Sequence, residues 1–128
     1  MLPISADLFK KFHLKILPGS YLFAQDSDAD SVYFILSGFV VLLNGAWEKE
    51  TIVNYVGPGE VLGEQIVFGY SNTKRIYAAR AQTEVECLCL DAIEIEKLKN
   101  SASPQYTELL ELSGKTCYQR LMRANSLI

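Results

Sequence analysis

Histidine is nearly missing from this chain: His13 is the only one in 128 residues. A metal centre built on several imidazoles is therefore excluded, and His13 itself reads as a surface or hinge position. Cysteine is scarce as well. Cys87, Cys89 and Cys117 are the whole set, too few for a four-thiolate iron–sulfur cluster and an odd number for a disulfide framework. Cys87 and Cys89 are too close in sequence for a comfortable disulfide, so a reducing, cytoplasmic setting is expected. No apolar run approaches the roughly 20 residues that a membrane span needs. The opening Met1-Leu-Pro-Ile-Ser-Ala-Asp7 lacks the basic start and apolar core of a signal peptide. Excess positive charge is absent too. A net charge of −3 and a pI near 5.1 argue against nucleic acid being bound by this chain itself. With no nucleophile–base pair or metal cluster in view, the chain does not read as an enzyme.

What is present is an ordinary globular composition, 49% hydrophobic and 21% charged. The spacing predicts one domain over 1–128, with a β-roll at about 14–91 and C-terminal helices at about 92–125. Ser5 or Asp7 caps a short opening helix. Pro18-Gly19 signals a type II turn, and Tyr21-Leu-Phe-Ala24 is a short strand. Ser31 to Leu43 is the strongest β signal, interrupted by Gly38. Asn44-Gly45 marks a hairpin, which Trp47 covers, and Thr51 to Val56 is the return strand. Ile76 to Ala81 and Val85 to Leu90 are further strands. Cys87 and Cys89 alternate on one of them and read as buried core thiols. Arg80 is expected in a structural salt bridge to Glu84 or Glu86. From Asp91 the period becomes helical, with Pro104 placed to start the last helix. Strands this short with turns this regular favour a sandwich or barrel-like roll.

The densest stretch is Gly57-Pro-Gly-Glu-Val-Leu-Gly-Glu64 and the run that follows it to Ala81. Glu64 stands directly after a glycine turn, and Arg75 follows eleven residues later. One turn of helix and a loop fit between them. Such a layout can hold a small sugar phosphate, with a carboxylate for ribose hydroxyls and a guanidinium and helix-start N–H groups for the anion.

The order Pro18-Gly19, Val32-Tyr-Phe-Ile-Leu-Ser-Gly38, Gly57 to Glu64, Arg75 and Arg80-Ala81 resembles the cyclic nucleotide-binding domain. This family includes the effector domains of catabolite activator proteins and of kinase regulatory subunits. The resemblance covers nearly the whole chain. It implies a mainly β fold, an eight-stranded antiparallel β-roll (a jelly-roll-like double-stranded β-helix) with a short N-terminal helix and C-terminal helices. It also implies a regulatory domain that binds cyclic AMP or cyclic GMP, needs no other cofactor, and moves or dimerises through its C-terminal helix. Gly63 would make the turn and Glu64 would accept from the ribose 2′-hydroxyl. Gln65, Ile66 and Ile76 would offer backbone N–H groups, and Arg75 would pair with the cyclic phosphate. Asp26 stands where a turn glycine is usual, a position that Asp tolerates. Arg123 and Asn125 come late enough to approach the purine as a lid.

Two other readings keep the fold. In one, Ile66, Ile76 and Tyr77 close the pocket, and the roll serves as an interaction or dimerisation module. In the other, the chain is the sensor half of a transcription regulator.

Overall fold

The computed structural model describes residues 6–45, 49–63, 66–67 and 73–126, and in the last helix the side chains of residues 117, 120, 121 and 123–126 lie outside that description. Ser5 and Trp47, both named above, also fall outside it. The chain opens with α1 (Ala6–Phe12), whose end runs directly into β1 (His13–Ile16). At Leu17-Pro18-Gly19-Ser20 the Ser20 N–H donates to the Leu17 carbonyl at 3.1 Å. Gly19 has φ +84 there, as a type II turn requires. β2 (Tyr21–Phe23) follows, and the next turn places Asp26 at φ 65, the left-handed geometry expected of it.

The long apolar run from Ser31 is one feature in the sequence and two in space. β3 (Ser31–Ser37) lies in one sheet and β4 (Val40–Asn44) in the other. The crossing is made at Gly38, at φ +86, where a Cβ would stand 2.1 Å from the Glu84 carbonyl oxygen. No side chain fits that corner. β5 (Thr51–Val56), β6 (Val61–Leu62), β7 (Ala78–Ala81) and β8 (Val85–Asp91) complete the strands. Among the described residues there are eight strands, all paired antiparallel, in two four-stranded sheets of order β1-β8-β3-β6 and β2-β7-β4-β5. This is the expected antiparallel β-roll.

Strand parity sorts the core into two layers. Tyr33, Ile35, Leu42, Val85 and Cys87 face the interior between the sheets, with Cys89 packed against them. Val32, Phe34, Leu88 and Leu90 alternate with these and face outward beneath α1 and the C-terminal helices, meeting Leu8, Ile95 and Leu109. Cys87 is fully buried. Its thiol is pushed up to about 12 by burial and by the neighbouring Cys89. α2 (Ala92–Asn100) starts on a capping box in which Asp91 and Glu94 exchange backbone N–H groups. α3 (Pro104–Ser126) starts at the expected proline.

Three local expectations need correction. β6 was not foreseen, because two residues cannot show a period. The strand expected from Ile76 begins at Ala78, and Ile76 and Tyr77 form an exposed bend before it. Arg80 makes no bridge to Glu84 or Glu86. Glu86 faces His13 at 3.7 Å across the β1–β8 pair, and Glu84, just before β8, faces Lys15 at 3.6 Å. Arg80 belongs to the other sheet and lies 6.0 Å over the ring of Tyr21, its cross-strand partner. His13 sits at the α1–β1 junction with its ring 4.4 Å from that of Phe9.

Candidate functional site

The site is built by a backbone zipper between residues 26–29 and 73–75. Ala29 N–H donates to the Thr73 carbonyl at 2.9 Å, Arg75 N–H to Ser27 at 2.8 Å, and Asp26 N–H to Arg75 at 2.8 Å. The Lys74 ammonium pairs with Asp28 on the outer side of this zipper, which holds the Asp28 carboxyl below its ordinary value. Extended backbone alternates its side chains, so Arg75 turns inward while Lys74 stays exposed. Arg75 is 5% exposed. Its Nη2 donates to the Ser31 carbonyl oxygen at 2.7 Å and to Ser31 Oγ at 3.3 Å. Its guanidinium carbon lies 4.2 Å from the centre of the Phe23 ring.

Gly63 closes on this arginine from β6. It has φ +81, and a Cβ there would stand 2.6 Å from Arg75 Nη1 and 2.7 Å from the Ser31 carbonyl oxygen. Conformation and space therefore both require glycine. Behind the arginine, the Tyr33 hydroxyl donates to the Leu22 carbonyl at 3.0 Å. Burial raises the Tyr33 phenol, and it raises the Cys89 thiol as well.

Gly63, Arg75 and Ile76 share one cavity of about 390 Å³ with Phe23, Leu42, Val53, Asn54, Leu62, Thr73, Lys74 and Tyr77. That size falls within the roughly 300–1,000 Å³ of small-molecule sites. Its lining is mostly apolar with a few polar groups, Arg75 among them, as in small-molecule sites generally. Ile76 and Tyr77 stand at its rim, 69% and 37% exposed, rather than plugging it.

Ile66 lies elsewhere. Its side chain is buried with Val67, Phe34, Leu88 and Leu109 under the helices, so its β-branched bulk does not enter the cavity. Its N–H donates to the Gly63 carbonyl at 3.3 Å, which closes the turn. Glu64 and Gln65 lie outside the described residues. Arg123 and Asn125 fall on the last turns of α3, with their side chains outside the description, and no described residue of α2 or α3 lines the cavity.

Phe23, Ser31, Val53 and Asn54 escaped the sequence reading. Strand parity could have put Phe23 on the inner face, but nothing local to 21–31 announces an arginine 44 residues away. Val53 sits at a register shift between β4 and β5, and a bulge of this kind breaks the parity that would place it.

Comparison with known proteins points the same way. The family model described as cyclic nucleotide-binding domain matches residues 13–101. The HTH-type transcriptional regulator Cmr of Mycobacterium tuberculosis is 32% identical over 81 residues, covering 63% of this chain and 32% of that protein. The CRP-like protein Clp of Xanthomonas oryzae pv. oryzae is 26% identical over 103 residues, 79% of this chain and 44% of its own length. The chain thus spans less than half of either relative. The c-di-GMP responsive global regulator CLP of Xanthomonas campestris superposes with a TM-score of 0.74 at 22% identity, over 92% of this chain and 60% of that one; at that identity the likeness concerns the fold. A match running from β1 to the end of α2, on a roll with this strand order, places the chain in a family: it belongs to the cyclic nucleotide-binding domain family.

Proposed function

We propose that the 390 Å³ cavity binds a cyclic nucleotide, cyclic AMP or cyclic GMP, and that the chain is a sensory domain passing occupancy on to α3. The observation that supports this most is Arg75, a guanidinium brought into the cavity lining against a glycine that nothing larger can replace. A cyclic phosphodiester has one negative charge on two free oxygens, which a planar guanidinium matches bidentately. In this reading Glu64, directly after Gly63, takes the ribose 2′-hydroxyl, and the turn from Gly63 through Gln65 to Ile66, with Ile76 opposite, offers backbone N–H groups. The base lies along Val53, Asn54 and Tyr77. A lid in this reading comes from Arg123 and Asn125 on the last turns of α3; no described residue of that helix lines the cavity.

The reading of a closed, ligand-free module is less favoured. Ile66 turns away from the cavity and Tyr77 stays at its rim. The curated relatives are regulators about twice as long as this chain, so we read the chain as the sensor portion of such a regulator rather than as an enzyme. Tyr118 and Met122 are exposed on α3 and give a homodimer an apolar face. Calorimetric titration with cyclic AMP, cyclic GMP and cyclic di-GMP tests the proposal. The third is included because the Xanthomonas campestris regulator is described as responsive to it. Binding of either mononucleotide that disappears in Arg75→Ala is the expected result. No heat with any of the three at micromolar protein would overturn it.

A further inference from the structure

The sheet β2-β7-β4-β5 carries on its inner face one row of residues that crosses all four strands. Phe23 of β2 pairs with Ala79 of β7, Ala79 with Leu42 of β4, and Leu42 with Asn54 of β5. Paired residues point to the same face. Ala79 and Leu42 lie in the core between the sheets, with Phe23 packed against it. Neighbouring strands lie about 4.8 Å apart, so the row is roughly 14 Å from end to end. The Arg75 guanidinium stacks on Phe23 at one end, and Asn54 stands at the other. A mononucleotide with its phosphate on Arg75 lays its purine toward Asn54.

β5, the edge strand of that sheet, presents its residues with polarity inverted. Ile52, Val53 and Tyr55 are 50%, 43% and 52% exposed, whereas Asn54 is half-buried and lines the cavity. An amide turned to an apolar inner face costs stability unless it finds partners. One end has its partner. Asn54 Oδ1 accepts the Tyr55 N–H at 2.8 Å, and that donor decides which end of the amide is oxygen. The NH2 end has no acceptor among the described residues. Oxygen and nitrogen diverge from Cγ, so with Oδ1 turned back to the backbone the NH2 group is offered to the cavity. The other polar side chains of the lining sit elsewhere. Thr73, Lys74 and Arg75 belong to the zipper, where Lys74 is paired with Asp28, and Tyr77 stands at the rim.

From this geometry we infer that Asn54 reads the purine and sets the cavity for guanine, that is, for cyclic GMP over cyclic AMP. The inference rests on the cyclic nucleotide reading of the cavity. Guanine presents two acceptors, O6 and N7, on the edge where adenine presents N7 and the N6 amino donor. A group placed to donate bonds to O6 and meets the adenine amino group donor against donor. An asparagine that reads adenine uses both ends of its amide, and here the Tyr55 N–H holds the oxygen.

Titration of cyclic GMP, cyclic IMP and cyclic AMP into the full chain tests this. Hypoxanthine keeps O6 and N7 and lacks the 2-amino group, so cyclic IMP should bind as tightly as cyclic GMP. Both should bind about tenfold tighter than cyclic AMP, within the discrimination of one base-reading pair. Asn54→Asp keeps the shape and the acceptor for the Tyr55 N–H and replaces the donor with an acceptor, so it should abolish or reverse the preference. Asn54→Ala should bring all three to one affinity. Equal affinities in the wild-type chain, tighter cyclic AMP, or an Asp variant that keeps the preference overturns the assignment and leaves the cavity reading standing. Cyclic IMP as weak as cyclic AMP overturns it too, because recognition then runs through the 2-amino group. A purely structural Asn54 would lower the melting temperature of both variants and weaken all three ligands equally, which also refutes it. If none of the three binds, the cavity reading falls and takes this inference with it.

Discussion

The Arg75 guanidinium carbon stands 4.2 Å from the centre of the Phe23 ring, and this contact joins residues that the sequence keeps 52 positions apart. The face of an aromatic ring attracts a cation and fixes the plane in which the guanidinium fork opens. Phe23→Leu keeps an apolar side chain and removes that face. It should weaken cyclic nucleotide binding by roughly 2- to 30-fold, corresponding to about 0.5–2 kcal/mol, with little change in melting temperature. Calorimetry gives the number, and an unchanged affinity would separate the ring from ligand binding.

Arg75 itself should be indispensable to the site. A desolvated, charge-assisted hydrogen bond contributes about 1.5–3 kcal/mol, so losing two to a phosphate costs on the order of 10²–10⁴ in affinity. Arg75→Lys keeps the charge without the fork and should recover only part of it. The unliganded Arg75→Ala protein should also lose about 1–2 kcal/mol of stability, because the Ser31 carbonyl loses its donor. Urea unfolding alongside the titration separates the two effects.

Gly63→Ala should fail on both counts. The methyl would sit 2.6 Å from Arg75 Nη1 at a φ that L side chains avoid, for a cost of about 1–3 kcal/mol. We expect a lower melting temperature together with loss of nucleotide binding. Gly114→Ala has the reverse structural context, open space inside a helix, and should raise the melting temperature. A Gly63→Ala protein as stable as wild type would show that the glycine turn yields freely.

Alkaline stability follows from Cys87. Burial pushes its thiol from an ordinary value of 9.0 up to about 12. Unfolded chains therefore release this proton from about pH 9 while the folded protein keeps it, and the unfolded state binds fewer protons. Stability is complete below pH 9 and falls as pH rises toward 12, at up to about 1.4 kcal/mol per pH unit. Cys89 and Tyr33 are raised too and act in the same direction. Cys87→Val, with no proton to release, should flatten the alkaline limb of a thermal denaturation series, and identical limbs would refute the assignment.

Much of the fold was legible in short stretches. Pro18-Gly19 formed the turn its residues require, Asp26 took the left-handed geometry expected of it, and Pro104 opened α3. Alternation along β3 and β8 divided Tyr33, Ile35 and Cys87 from Phe34 and Leu88 as a two-layer core demands. Each of these follows from neighbours within a few residues, where steric preference and the two-residue period act directly. The failures share the opposite trait. β6 is too short for a period, and the partner of Arg80 was sought along the chain when it lay across a different sheet.

The sequence alone determined the kind of fold, the family and the positions of Gly63 and Arg75, because turn glycines and strand periods are local physical requirements. Tertiary structure decided what those positions mean. It turned Ile66 into the helix-side core and left the cavity open, put Phe23 and Ser31 around the guanidinium, and fastened Thr116 to the edge of β6. Side chains that meet across sheets and helices are brought together by packing of the whole chain, and no window of neighbouring residues contains that information.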